Sequence, residues 1–424
     1  MTTQVSDRSF LNSLEVVGIK LGLDQIRALT EHLGRPQDSF QSIVVAGTNG
    51  KGSVTAMVER GLRAAGYRTG RYTSPHLVDL EERFVVDGQR VSPATLDAVL
   101  GRVRSSSARL SAAPSYFEAT TAAAFEIFRD AHVDVAVLEV GLGGRLDATN
   151  IVTPVAVVIT SVDFDHQAYL GDTLEAIARE KAGVIKPGCS AVLAANPGIV
   201  REVVSETCDR HAARLIYAPD GVGAESRLKD GRIEIDLATP LRTYGRVRLG
   251  LRGRHQVDNA IAAVRLLEAL SSDGLFTVPR DAIRTALEDV SWPARLELMQ
   301  WHGHELLIDG AHNPAGARAL AAYLREAYGR GLPIVVGIMR DKKVEELIGA
   351  LAPAASHFVF TAPATGRAAT PEELLTAATR VAPDVPAITR AQPSEAVTHA
   401  MSLGDPVVVA GSLYLAGEIR ADIS

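Results

Sequence analysis

The chain has 424 residues, 46% of them hydrophobic and 22% charged, with a formal net charge of −6. Such a chain is too long for one ordinary core and too apolar for wholesale disorder, so two or three globular domains are expected. The negative balance argues against a uniformly basic nucleic-acid-binding surface but leaves room for a local basic pocket. The opening stretch MTTQVSDRSFLNSLE is polar and lacks the apolar segment of a signal peptide, and no apolar run reaches the ~18 residues of a membrane span. Cys189 and Cys208 lack metal-site spacing and read as ordinary thiols of a reducing cytosol, so a cytoplasmic protein is expected.

Short β-branched runs alternate with amphipathic stretches. Residues 42–46 (SIVVA) form the first strand candidate; a glycine-rich turn and a helix-like run over 53–65 follow. A short strand at 70–73 comes next. The runs at 133–140 (VDVAVLEV) and 155–160 (VAVVIT) are almost wholly apolar, as strands buried on both faces should be. A helix pattern over 174–183 leads to a strand at 190–194. Between 225 and 251 the alternation in RIEIDLA and RVRLGL predicts a small antiparallel excursion, followed by a helix from about His255. Pro293 interrupts the pattern, and the rhythm restarts with strands at 304–309, 333–338, 356–360 and 406–410. The expectation is an α/β chain with a mostly parallel sheet in a domain of residues 1–293, including the antiparallel subdomain at 225–251. A smaller α/β domain, residues 294–424, follows.

The strongest local signal is Gly47-Thr48-Asn49-Gly50-Lys51-Gly52-Ser53, delivered by a strand and followed by a helix. Glycines let backbone N–H groups wrap an anion, and a helix N-terminus adds partial positive charge. Lys51 can reach outer phosphates and Ser53 can approach Mg²⁺. The match to G-x-x-x-x-G-K-[ST] is imperfect, since the first glycine is too close and Gly52 separates Lys51 from Ser53. The bland alternative is a glycine turn that merely packs. A second cluster, Gly141-Leu142-Gly143-Gly144-Arg145-Leu146, is a poor dinucleotide fingerprint because Leu146 holds the third glycine position. Glu139, at the carboxyl end of the preceding strand, lies where such sheets bind ligands and is a candidate metal ligand; its alternative is a salt-bridged carboxylate. His166 in DFDH, after the next strand, could be a second ligand or a structural histidine. Ser74, after the strand at 70–73, could contact a metal or cap its loop. No G-x-S-x-G elbow and no H-E-x-x-H motif occurs.

Taken together and in order, ten segments resemble the folylpolyglutamate synthase and dihydrofolate synthase family, in the Mur-ligase superfamily. They are GTNGKGS (47–53), SPHL (74–77), YFE (116–118), LEVGLGGRLDATN (138–150), DFDH (163–166), REKAGVIKPG (179–188), GRHQxxNA (253–260), PARLE (293–297), DGAHNP (309–314) and GSLYLAGE (411–418). The resemblance covers almost the whole chain and accounts for the irregular glycine loop. It implies a P-loop three-layer ATPase domain joined to a smaller, Rossmann-like α/β domain. It also implies an ATP-dependent ligase that adds L-glutamate to dihydropteroate, to the terminal glutamate of reduced folates, or to both.

By motif, the resemblance assigns ATP binding to Thr48, Asn49, Gly50, Lys51, Gly52, Ser53, Asn259, Arg295 and Asp309. Magnesium, as two ions, falls to Ser74, Glu139, His166 and Ser53. Lys51, Lys181 and His312 serve the chemistry, with Lys181 matching a lysine that this family carbamylates. The acceptor falls to Ser115, Tyr116, Phe117, Glu118, Leu146, Asp147 and Ala148. A monomer with no nucleic-acid or membrane partner is expected. Ser115 stands where many relatives carry threonine, and Ala294 where glycine is common, a change that restricts the backbone. A monofunctional folylpolyglutamate synthase, a cell-wall Mur ligase and a P-loop GTPase-type switch are the alternatives; no N-K-x-D-like segment supports the last.

Overall fold

The structure, a computed structural model, describes residues 7–14, 18 and 20–423. Part of the polar opening stretch, residues 1–6 and 15, therefore lies outside the described residues. The chain divides into two compact units: residues 1–224, 237–247 and 258–290 in the first, and 225–236, 248–257 and 291–424 in the second. Sequence reading places the boundary at 294 and keeps 225–251 with the first part, whereas the packing distributes that excursion over both units.

The first unit is built on an eight-stranded sheet. Its strands are β1 (Gln41–Ala46), β2 (Thr69–Tyr72), β3 (Phe84–Val86), β4 (Gln89–Arg90), β5 (Val135–Glu139), β6 (Ala156–Ile159), β7 (Ser190–Leu193) and β8 (Arg214–Tyr217), in the order β4-β3-β2-β5-β1-β6-β7-β8. From β2 to β8 every pairing is parallel. Val44, Ala46, Ala136, Leu138, Val157 and Ile159 share one core with residues of the helices Pro93–Ser107, Tyr116–Asp130 and Leu174–Ala182. The residues alternating with them, Ile43, Val45, Val135, Val137 and Val158, are fully buried as well. Both faces are covered, which is why these strands read as continuous apolar runs. The helix Lys51–Ala64 lies close to its neighbours: a Cβ on Gly61 would sit 2.7 Å from Leu267 and 3.1 Å from Ala286.

The excursion holds β9 (Gly223–Lys229), β10 (Arg232–Ala238) and β11 (Thr243–Arg248), hydrogen-bonded in the order β11-β10-β9. The second unit carries β12 (Glu297–Trp301), β13 (His304–Ile308), β14 (Leu332–Val336), β15 (Ala355–Phe360), β16 (Ala387–Thr389) and β17 (Val407–Ala410), in the order β12-β13-β17-β14-β15-β16. Only the β12–β13 pair is antiparallel. Leu307, Ile334, Val336, Phe358, Phe360 and Val408 form its core with residues of the helices Pro314–Tyr328, Val344–Leu351 and Pro371–Val381.

Of the strands that sequence reading omits, β3, β4 and β12 lie in hairpins, and the expected excursion adds a further hairpin between β9 and β10. Each hairpin has a two-residue turn that ends in glycine with both residues at positive φ: Asp87-Gly88 (50° and 76°), Asp230-Gly231 (48° and 68°) and His302-Gly303 (49° and 83°). Such turns match the twist of the strands they join, so the two Asp-Gly pairs are sequence signals in their own right. No helix among the described residues is long and apolar enough to cross a membrane.

Candidate functional site

In the first unit the carboxyl ends of β1, β5 and β6 deliver the motif residues to one loop cluster. β1 ends at Ala46, and the chain turns through Gly47 (φ 148°) and Gly50 (φ 86°) into the helix that starts at Lys51. Neither glycine tolerates a side chain. A Cβ on Gly47 would lie 1.8 Å from Thr160 Oγ1, and one on Gly50 would lie 2.3 Å from Asn259 Oδ1. The loop is thus pressed between two polar side chains, and Asn259, far away in sequence, stands against it.

The loop carbonyls and side chains are tied into place. Thr48 N–H donates to Ser161 O at 2.7 Å. The Thr48 hydroxyl donates to Asp163 O and accepts from Asp163 N–H, each at 3.0 Å. The Thr160 hydroxyl donates to Asn49 O at 2.7 Å. Lys51 Nζ donates to Gly47 O and Thr48 O, both at 3.1 Å, and Lys181 Nζ donates to Gly47 O at 2.8 Å. Two lysine side chains therefore converge on one carbonyl. Burial, and then the Lys51 charge, bring Lys181 down to about 7. The first turn of a helix has N–H groups without helical acceptors, so this cluster offers donors and positive charge to an anion.

Of the residues implied for metal, the structure brings Ser74 and Glu139 together: Ser74 N–H donates to Glu139 Oε2 at 3.2 Å. Glu139 ends β5 and is buried, as is Ser53. His166, at φ 51°, caps a short helix; its N–H donates to Asp165 Oδ1 at 2.9 Å, and its ring is part-exposed. No group of three or more His, Cys, Asp or Glu side chains able to hold a metal occurs among the described residues. A buried carboxylate beside Ser74 nevertheless fits Mg²⁺, which takes few protein carboxylates and completes its shell with water and phosphate oxygens.

The acceptor segments divide into two kinds of residue. Ser115 and Glu118 form a capping box at the start of the helix Tyr116–Asp130: Ser115 N–H and Oγ–H donate to Glu118 Oε2 at 2.7 and 2.8 Å, and Glu118 N–H donates to Ser115 Oγ at 3.2 Å. Asp147 holds its own loop, accepting from Leu142 N–H at 2.9 Å and from the Thr149 hydroxyl at 2.6 Å. Burial raises its pKa against the pull of those hydrogen bonds. Phe117, by contrast, presents its ring: a Cβ on Gly141 would lie 2.6 Å from the Phe117 Cζ, and the Tyr72 ring is 6.0 Å away. Leu146 is half-buried and Ala148 buried on the adjoining loop. That loop rests on the segment carrying Lys181, since Arg145 N–H donates to Glu180 O at 2.8 Å.

Two positioning residues carry no motif signal. Thr160 is described above. The Asn196 side chain donates to Thr160 O and Ala194 O, each at 3.0 Å, and accepts from Val162 N–H at 2.8 Å, pinning the end of β6 to the end of β7. Both act between strand ends distant in sequence, which spacing alone does not reveal.

The second unit has its own cluster. Buried Asp309 accepts from Leu296 N–H and Ala311 N–H, each at 2.9 Å. Burial raises its pKa, and Arg295 opposes the rise. A Cβ on Gly310 would lie 2.6 Å from the Arg295 guanidinium, so the arginine lies against the DGAHNP turn. His312 Nδ1 is 2.8 Å from Gly310 O, and Asn313 caps the helix Pro314–Tyr328. Ala294 adopts φ 52°, the left-handed conformation that glycine takes without strain. His255, near Arg295, is lowered to about 4 by burial and then by the arginine's charge.

Comparison with known proteins follows these elements. Residues 45–267 match the Mur ligase middle domain, and residues 294–413 match the Mur ligase glutamate ligase domain. The chain is 35% identical over 349 residues to the dihydrofolate synthase/folylpolyglutamate synthase of Bacillus subtilis, covering 80% of this chain and 81% of that protein. The Mycobacterium tuberculosis folylpolyglutamate synthase complexed with ADP and AMPPCP aligns with a TM-score of 0.89 at 36% identity, covering 99% of each chain. Escherichia coli FolC in complex with DHPP and ADP aligns with a TM-score of 0.87 at 29% identity, covering 99% of this chain and 97% of that one.

Proposed function

The chain belongs to the Mur ligase family, within its folylpolyglutamate and dihydrofolate synthases, and on that premise we propose that it is a bifunctional ATP-dependent ligase. It joins L-glutamate to dihydropteroate and to the terminal glutamate of reduced folates, forming an amide and releasing ADP and phosphate. The observation that carries this reading is the match over most of both chains to a relative named for both activities.

The chemistry proceeds in two displacements. A carboxylate oxygen of the acceptor attacks the γ-phosphorus of ATP as the bond to the β–γ bridging oxygen breaks, giving ADP and an acyl phosphate. The amino nitrogen of L-glutamate then attacks the acyl carbon, loses a proton, and phosphate departs. Thr48, Asn49, Gly50, Gly52 and Ser53 hold the phosphates at the helix start, with Lys51 supplying charge. Asn259 supports the loop; Arg295 and Asp309 keep the nucleotide-binding role, and His312 the role in the chemistry, that their motifs imply. Ser74, Glu139, His166 and Ser53 would hold the magnesium ions, which when bound neutralise phosphate charge. Tyr116, Phe117, Leu146 and Ala148 line the acceptor, while Ser115, Glu118 and Asp147 keep those segments in shape.

The deciding assay is ADP release with dihydropteroate or tetrahydrofolate as acceptor, each with L-glutamate. Release with both supports the bifunctional reading, and release with tetrahydrofolate alone reduces it to a folylpolyglutamate synthase. Turnover only with UDP-linked muropeptides would make it a cell-wall enzyme. Hydrolysis indifferent to acceptor and glutamate would point to a nucleotide switch.

Lys181 suits carbamylation. Only a neutral amine attacks carbon dioxide, and a buried lysine brought down to about 7 is substantially neutral at physiological pH. Carbamate formation should therefore rise as pH climbs through 7. Its product is an anion beside Lys51 that can accept hydrogen bonds or approach Mg²⁺. Native mass spectrometry in bicarbonate should show a mass increment of one carbon dioxide that Lys181→Met abolishes. An unmodified wild-type chain at high bicarbonate overturns the assignment.

A further inference from the structure

The loop between β2 and β3 contains a side-chain arrangement that the reaction scheme above leaves unused. Glu82 accepts from three successive backbone N–H groups, Leu77 at 2.8 Å and Val78 and Asp79 at 3.2 Å each. A carboxylate that takes three backbone donors clamps the loop around it. The next residue, Arg83, lies beside the start of this loop, because Thr73 N–H donates to Arg83 O at 3.2 Å. Arg83 is buried, which is expensive for a guanidinium unless its donors are used. It donates from Nε to His76 Nδ1 at 2.9 Å, and its guanidinium lies 5.4 Å from the centre of the Tyr116 ring.

This hydrogen bond sets the state of His76. An arginine has donors only, so Nδ1 must accept, and the ring proton of the neutral imidazole sits on Nε2. Nε2 makes no hydrogen bond among the described residues. The result is an N–H donor of fixed orientation, backed by a buried cation, on a loop whose Ser74 N–H donates to Glu139. The cation lies over Tyr116, one residue before Phe117, so the same loop reaches a proposed metal residue through Ser74 and the proposed acceptor segment through Arg83.

We infer that His76 contacts the acceptor, donating from Nε2 to an oxygen of its carboxyl-bearing end, and that Arg83 is the positioning residue that fixes the tautomer and orientation of the His76 ring. This rests on the ligase reading given above. The chemistry selects an anionic or carbonyl oxygen, because Nε2 offers only an N–H, which needs a lone pair to accept it, and a protonated amine has none.

The test is steady-state kinetics of the full chain at saturating ATP and L-glutamate, with dihydropteroate and tetrahydrofolate as acceptors. His76→Phe keeps a ring without the donor, and should raise the acceptor KM by about 10-fold or more. The KM for ATP should stay within about 2-fold, since uniform binding of one substrate is lost and not that of the other. His76→Gln carries an amide N–H at a similar reach and should recover most of the loss. Arg83→Met should resemble His76→Phe, and the double variant should be no worse than either alone. If Arg83→Met does not fold, the comparison of His76→Phe with His76→Gln decides by itself. An acceptor KM unchanged in His76→Phe, an equal rise in the ATP KM, or His76→Gln as impaired as His76→Phe with an unaltered melting temperature overturns the inference and leaves the ligase reading standing. A wild-type chain inactive with every pterin acceptor overturns both.

Discussion

Replacing Lys51 by alanine is expected to lower acceptor- and glutamate-dependent ADP release by about 1,000-fold, with the folded chain as stable as the wild type or slightly more so. Lys51 opens the helix after the glycine turn and folds its ammonium back over the Gly47 and Thr48 carbonyls, at 3.1 Å from each. That posture holds a positive charge at the mouth of the loop, where negative charge gathers on a transferring phosphoryl group. Such charge acts mainly on the transition state, so kcat should fall more than ATP affinity.

A second consequence runs through Lys181. Lys51 is the neighbouring charge that, after burial, keeps Lys181 low. Removing it should let the Lys181 pKa rise, reducing the neutral fraction at pH 7 and with it the carbamate. Single-turnover ADP release, nucleotide binding by calorimetry, and the carbamate mass increment together separate the two effects. Because the Lys51 charge disfavours the charged form of Lys181, removing it relieves that repulsion and stability should not suffer. Full turnover in Lys51→Ala would remove the phosphate-loop assignment; lost turnover with a collapsed melting temperature would show that the lysine is structural.

Gly47→Ala is the second large effect, and its cause is steric. The residue sits at φ 148°, where an L side chain is strained, and the added Cβ would lie 1.8 Å from Thr160 Oγ1 and 3.2 Å from Thr160 N. The side chain can rotate away, but the backbone nitrogen cannot. The expected cost is about 2–4 kcal/mol of folding stability, combining strain and overpacking. The displaced loop should also lose nucleotide affinity, because the Gly47 carbonyl is the common acceptor of both Lys51 and Lys181. Thr160→Ala removes the hydroxyl that the new Cβ would meet, together with its bond to Asn49 O at 2.7 Å. It should be destabilising alone by about 1 kcal/mol, yet in combination with Gly47→Ala should recover part of the clash, a coupling of neighbours in contact. Strict additivity in a thermal or urea melt would show that the loop has moved off Thr160 altogether.

Much of the fold was legible from pattern. Strands buried on both faces have nowhere to put a polar residue, so β1, β5, β6 and β14 stand out as apolar runs within a few residues of where they are observed. Edge strands obey no such rule. The β4 strand is exposed and polar, and only the Asp87-Gly88 turn announces it. The excursion at 225–251 reads correctly as strands, but no local feature says that its residues divide between two compact units.

The site was legible unevenly. Glycine loops and a carboxylate at a strand end carry their chemistry in local order, so Gly47 to Ser53 and Glu139 could be singled out before any coordinates. Ser115, Glu118 and Asp147 lie in the segments that the resemblance points to, yet their polar groups are engaged with neighbouring backbone and side chains. A motif marks a segment; only the folded chain says which of its side chains are committed internally.

The sequence by itself determined the α/β order of strands and helices, the glycine turn at the end of β1 and the family to which the chain belongs. These follow from local properties, namely periodicity, backbone freedom and short motifs, which exist before folding. Only the tertiary structure decided that Asn259 and Thr160 confine the glycine turn, that Lys51 and Lys181 meet at one carbonyl, and that Arg83 orients His76. Those are contacts among strand ends, loops and helices, most of them remote in sequence. They arise because a parallel sheet gathers the carboxyl ends of its strands along one edge, whatever their distance along the chain.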